Sequence, residues 1–248
     1  MSRTGWLLAA LLLAALVPAL IGGSELLPRL RSFPPGLLLA LFAMIVLCWA
    51  LNSLRLRLLL GSQGEKIGRL RSLGVIMATE FAICTTPGGS GGPLTLMALL
   101  SRDRVRPAHS GAVFAMDQLN DLLFFLCALL GILVYMLFHS LDRSLEGMLL
   151  GTALLMLAAL ALGLGVLRWR RGLMRWNGRL LQRLKVRGST RRRWAKRLLH
   201  FFRAFRATLR LPRRTLALVF ALTCVHWGLR YSVLYLSLIH ISEPTRQE

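Results

Sequence analysis

TTPGGSGGPL, residues 85–94, separates two apolar stretches, and its reading decides the fold. Pro87, Gly88, Gly89, Gly91, Gly92 and Pro93 cannot all sit inside one regular helix. Proline removes a backbone donor, and glycine is entropically costly there. The surrounding chain is built for lipid. It has 248 residues, is 55% hydrophobic and only 17% charged, and repeats apolar runs of membrane length. Backbone that faces lipid without hydrogen bonds is very costly. Such a break therefore belongs outside the bilayer, or against protein or a wet cavity within it. The distribution of charge decides between the two.

Spans are read at 7–23, 36–54, 111–138 and 147–167, with a last one beginning near Leu216. In residues 1–23 a long apolar run follows Arg3, as in a signal peptide, but no clear small-x-small cleavage site comes after it, so a retained first helix is expected. Residues 168–214 hold eighteen Lys and Arg and no Asp or Glu, which sets them on the cytoplasmic side. Counting back, 139–146 fall outside, and Arg102, Arg104 and Arg106 fall inside. The loop carrying Arg55, Arg57, Lys66, Arg69 and Arg71 is inside as well, and so is the N-terminus. Both ends of 72–101 are then cytoplasmic. Two full crossings need roughly forty residues; about thirty are present, and they break at the centre. A re-entrant hairpin follows, with arms at 72–86 and 94–100. Two cramped spans around an external turn would violate the charge rule elsewhere.

The net charge of +22 comes from 32 basic and 10 acidic residues. Because the basic residues lie between apolar spans, membrane and anionic phospholipids are the expected partners, and nucleic acid is not. Cys48, Cys84, Cys127 and Cys224 are scattered singly in apolar segments, so buried inert thiols are expected, with no metal site and no disulfide framework. Within 168–214, Trp169, Leu173, Trp176, Leu180 and Leu184 recur at helical spacing. Trp194, Leu198, Phe201, Phe202, Phe205 and Leu209 do the same. Two interfacial amphipathic helices account for this stripe, with Trp169, Trp176, Trp194, Arg197 and Arg203 at the lipid interface. A solvated loop accounts for the charge alone.

Ionisable residues inside a membrane are functional candidates. Glu80 lies in the first arm of the hairpin, and Asp117 and Asp121 share a helix face in AMDQLNDLLFF beside Gln118 and Asn120. All three carboxylates lie roughly 10–16 Å in from the cytoplasmic side. Either they line one cavity, or they are structural: they pair with Arg55, Arg57 or one another, or cap the hairpin. The second arm turns its free N–H groups toward the turn, so Thr86, Pro87, Gly88, Gly89, Ser90, Gly91 and Gly92 form a candidate phosphate cradle. His226 and Arg230 can supplement it. A phosphate cradle beside carboxylates suits a phospholipid head that also carries an amine. No Walker A, HExxH or GxSxG motif is present, so no catalytic residue, cofactor or metal is assigned.

TPGGSGGP, followed by LLSRDRVRPAHSGAVFAMDQLNDLLFF and preceded by LNSLRLRLLL, resembles the membrane region of lysylphosphatidylglycerol synthases and their stand-alone flippase-like relatives. Pro87, Gly88, Gly91 and Gly92 fall on that family's turn, and Asp117 and Asp121 on its acids. Gln118 stands where many relatives have Arg. The resemblance implies an all-α polytopic protein of the bacterial inner membrane that translocates phospholipids, aminoacylated ones such as lysylphosphatidylglycerol among them. The alternatives are a membrane-embedded transferase and an accessory subunit acting on lipid-linked substrates. A second copy of the chain or a lipid-modifying enzyme is a further candidate partner. LSLIHISEPTR, residues 236–246, resembles the translation of a common transposase-based sequencing adapter. Residues 236–248 are therefore expected to be foreign, and 1–235 to be an incomplete flippase-like domain.

Overall fold

The computed structural model describes residues 34–138, 143–169 and 188–242, with positions 16, 172, 175, 176, 178, 179 and 182. Among them there is no strand. The elements are α1 (Pro35–Leu60), the short α2 (Ser62–Lys66), α3 (Arg69–Thr85), a 3-10 turn (Pro87–Gly89), α4 (Gly91–Arg102), α5 (Pro107–Phe138), α6 (Arg143–Arg168), α7 (Gly188–Leu209) and α8 (Arg213–Ser242). Among the described residues, four segments are long and apolar enough to cross a membrane: Pro35–Leu60, Pro107–Met136, Gly147–Arg168 and Arg213–Leu236. They correspond to four of the five expected spans; the fifth, 7–23, lies outside the described residues. The protein is an all-α polytopic membrane protein.

The chain divides into two compact units, Met1–Val46 and Leu47–Glu248. In the first, the described residues form the start of α1, where Pro34 O accepts the N–H groups of Leu37 and Leu38. The second holds the core. There α1 continues past the expected end at Leu54, so Arg55 and Arg57 are helical, not in a loop. Leucine and arginine are both good helix formers, and LRLRLLL gives the helix no reason to stop. Gly61, with φ +58°, ends it.

The core joins Leu56, Leu59 and Leu60 of α1 to Val75 of α3, Leu96 and Leu100 of α4, and Val113 and Met116 of α5. Phe205 of α7 and Val219 of α8 complete it. These positions lie toward the basic ends of the helices. Elsewhere the apolar side chains stay exposed. In α6 only 6% of the apolar window is buried, and Leu154, Leu155 and Leu162 are each about two-thirds or more exposed. Between helices in lipid there is no hydrophobic drive to bury leucine, so such a surface is stable only against acyl chains.

α3 and α4 form an antiparallel hairpin. At its open end, the Arg71 guanidinium donates to both oxygens of Asp103 at 3.2 Å. At its closed end, Gly92 packs on Ile83. Thr86 fixes the turn: its hydroxyl donates to Ala82 O at 2.6 Å and accepts the Gly91 N–H at 2.8 Å. α4 begins at Gly91, three residues earlier than expected, with Pro93 in its first turn. A first-turn proline costs little, because its missing N–H would have no intrahelical partner.

α7 packs along the start of α5, with the Phe201 ring against Gly111. Phe205 joins the core and Phe201 packs against it, so this part of the aromatic stripe meets protein instead of the expected lipid; Phe202 is buried on the side that faces Leu164 and Leu167 of α6. Trp169, Trp176, Trp194, Arg197 and Arg203 are exposed. Most of the first expected amphipathic helix, 169–184, lies outside the described residues. Phe205→Leu should lower stability by about 1 kcal/mol, the usual scale for a near-volume-conserving core swap. Trp194→Ala, at an exposed site, should change it by no more than about 0.5 kcal/mol. Thermal unfolding in detergent measures both.

Candidate functional site

A cavity of about 260 Å³ opens among α1, α3, α4, α5 and α8 of the second unit. Each helix contributes one face. On α1, Asn52, Arg55, Leu56 and Leu59 repeat at three or four residues. On α3, Ile76, Thr79, Glu80 and Ile83 do so; on α5, Phe114, Asp117, Gln118 and Asp121. α8 adds His226, Trp227 and Arg230. All three carboxylates singled out from the sequence line this one cavity, together with Gln118.

Arg55 is its centre. The residue is 1% exposed. Its Nη2 lies 2.6 Å from Asp117 Oδ1 and 2.9 Å from Asp121 Oδ1, and its Nη1 donates to Asn52 Oδ1 at 3.0 Å. A charge taken this far from water persists only when paired and hydrogen-bonded. The two readings of the acids are therefore not exclusive: they pair with Arg55, and they line a cavity. Asp121 Oδ1 also accepts the Trp227 indole N–H at 3.1 Å, so one oxygen joins α1, α5 and α8. Gln118, which is exposed, reaches the other Asp121 oxygen only at 3.5 Å.

Glu80 is held by neutral donors. Trp49 Nε1 donates to Oε2 and Asn52 Nδ2 to Oε1, each at 2.9 Å. Asn52 thus links Glu80 to Arg55. Arg230 stacks over the Trp227 ring with its guanidinium carbon 5.6 Å from the centroid. It is exposed and makes no ion pair among the described residues. Two buried polar atoms of the lining, Arg55 Nε and His226 Nδ1, have no hydrogen-bond partner. Atoms of this kind are what a bound polar molecule satisfies.

The glycine turn is elsewhere. None of Thr86 to Gly92 lines the cavity; the nearest lining residues in sequence are Ile83 and Cys84. The Gly91 N–H, expected to be free for an anion, is taken by Thr86. Gly88 and Gly89 serve backbone geometry, with φ +62° and +68°. Cys84 and Cys127 are exposed rather than buried, and all four thiols are free. Among the described residues no group of three or more His, Cys, Asp and Glu is placed to hold a metal.

Sequence reasoning missed Trp49, Asn52 and Trp227. Asn52 carried a usable signal: it is a polar residue near the end of an apolar span and three positions from Arg55, as Asp117 and Asp121 are four apart. The indole donors carried none, because tryptophan in a span reads equally well as a lipid anchor.

Among known protein families, the model for the lysylphosphatidylglycerol synthase TM region matches residues 7–244. No curated protein and no solved structure gives a significant match.

Proposed function

Because the chain belongs to the lysylphosphatidylglycerol synthase TM region family, we propose that it moves amine-bearing phospholipids, aminoacylated ones such as lysylphosphatidylglycerol included, between the leaflets of the bacterial inner membrane. The observation that carries this reading is a cavity that gathers three carboxylates and Arg55 between apolar, span-length helices. At about 260 Å³ it is smaller than the roughly 300–1,000 Å³ of pockets that enclose drug-sized ligands. A headgroup fits that scale and two acyl chains do not, so the tails stay in lipid while the head passes.

The roles follow from the charges. Asp117 and Asp121 share one guanidinium, which leaves their combined charge incompletely balanced, and Glu80 has only neutral donors. An ammonium group is the natural third partner. Arg230, which makes no ion pair among the described residues, suits the phosphate better than the glycine turn does. The hairpin serves as a re-entrant wall. α3 and α4 rise about 25 Å and 18 Å, short of a bilayer core of about 30 Å, and both outer ends carry arginine.

Proteoliposomes containing fluorescent lysylphosphatidylglycerol or phosphatidylethanolamine test this by the rate at which outer-leaflet quenching reaches inner-leaflet lipid. Glu80→Gln keeps an acceptor oxygen and loses the charge. A charged hydrogen bond is worth about 1.5–3 kcal/mol, so transit should slow at least about tenfold with the melting temperature little changed. Equal rates for wild type and Glu80→Gln would remove Glu80 from the passage. Equal rates for wild type and empty vesicles would remove the function.

A further inference from the structure

A second cavity, of about 460 Å³, lies between α6 and α7, lined by Leu164, Leu167, Arg168, Phe202, Arg206 and Leu209. We propose that this groove binds one anionic phospholipid of the cytoplasmic leaflet, its phosphate between Arg168 and Arg206 and an acyl chain along Leu164 and Leu167. The inference rests on the cytoplasmic placement of the basic segment and not on lipid translocation.

Three observations converge. Arg168 is the last residue of the span Gly147–Arg168, which sets it at headgroup depth. Leu164 and Leu167 lie within about one turn below it, about 1.5–6 Å deeper, where acyl carbon begins. Arg168 and Arg206 are exposed, and neither makes an ion pair among the described residues. No acid occurs anywhere in 168–214, so no neighbour in sequence supplies one. Finally, the floor is apolar: Phe202 is 3% exposed and the leucines flank it. Free phosphate gains nothing from such a floor, whereas a lipid uses both parts.

Guanidinium matches a phosphodiester through paired N–H donors. Every phospholipid has that phosphate, so the discrimination comes from the headgroup beyond it. A zwitterionic head brings an ammonium or choline toward a segment with eighteen cations and is repelled. An anionic head is not.

The test is native mass spectrometry of the full chain in detergent, titrated with palmitoyl-oleoyl phosphatidylglycerol or phosphatidylcholine. Wild type should retain a single phosphatidylglycerol at least tenfold more tightly than phosphatidylcholine. Arg168→Gln with Arg206→Gln should lose that preference about tenfold, and the corresponding double Lys variant should recover part of it. Arg192→Gln with Arg193→Gln, which removes two cations at the start of α7 outside the groove, should leave it intact. Equal retention of the two lipids by wild type overturns the proposal. So does an unchanged preference in the groove variant, or an equal loss in both Gln pairs, which would reduce the effect to diffuse charge. All four arginines are exposed, so the variants are expected to fold, and their melting temperatures verify it.

Discussion

Arg55→Met is expected to yield little or no folded protein, while the triple variant Arg55→Met, Asp117→Asn, Asp121→Asn regains the fold and still fails to move lipid. The single change leaves Asp117 and Asp121 facing each other without the guanidinium that lies 2.6 and 2.9 Å from them. Removing one partner of a buried ion pair typically costs about 3–5 kcal/mol. That is a large part of the 5–15 kcal/mol by which most domains are stable. Replacing the whole cluster by neutral groups of similar size is often nearly neutral, because the desolvation cost disappears with the attraction. The pair of variants therefore separates two jobs held by the same atoms. Detergent melting temperature reports the structural one, and leaflet exchange in vesicles reports the other. If the triple variant exchanges lipid at the wild-type rate, the carboxylates have no part in the passage. If Arg55→Met alone melts like wild type, the cluster is not what holds α1 against α5.

Gly92→Val should open the α3–α4 hairpin at a cost of about 3 kcal/mol, the upper end for overpacking a tight contact. A Cβ at Gly92 would fall inside the van der Waals envelope of Ile83 Cγ1, and the residue is buried. At Gly91 a Cβ would stand 2.7 Å from Thr86 Cγ2 and 2.9 Å from Ala82 O, a backbone atom that cannot step aside. Gly88 has open space but φ +62°, so Gly88→Ala should cost only about 1 kcal/mol, from backbone conformation alone. The expected order of melting temperatures is Gly88→Ala above Gly92→Val. A Gly92→Val variant that melts like wild type would mean that the two arms need not touch. Pairing Gly92→Val with Ile83→Ala should recover much of the loss, since the substitution removes the atoms that clash.

Much of this architecture was legible in the sequence, and the reasons are physical. Apolar runs of span length have few other uses, so the spans at 36–54, 111–138, 147–167 and from Leu216 could be placed from hydropathy alone. Glu80, Asp117 and Asp121 could be grouped because rise per residue gives depth in a membrane directly. What the sequence left ambiguous were residues with two physically equivalent uses. Arg55 reads as the first residue of a cytoplasmic loop or as the last buried cation of a span, and only the partner across the bundle decides. The Phe201 and Phe205 stripe looks the same whether lipid or α5 covers it. The glycines of 88–92 divide into two that bend the chain and two that let helices touch, and composition does not tell these from an anion cradle.

The oxygen shared by Arg55 and Trp227 also sets a timetable for synthesis. Asp121 follows Arg55 by 66 residues, and Trp227 follows Asp121 by another 106. At about 5–20 residues per second on the ribosome, Arg55 is made about 3–13 s before either of its carboxylates is complete. During that interval a guanidinium near the end of the first described span lacks the two carboxylates that pair with it in the finished fold. Its place, five residues from the end of α1, lets the long side chain reach toward the nearer membrane interface. The same arginine deeper in the helix would be a stalled intermediate; here it can wait at the water's edge until α5 enters and draws it in.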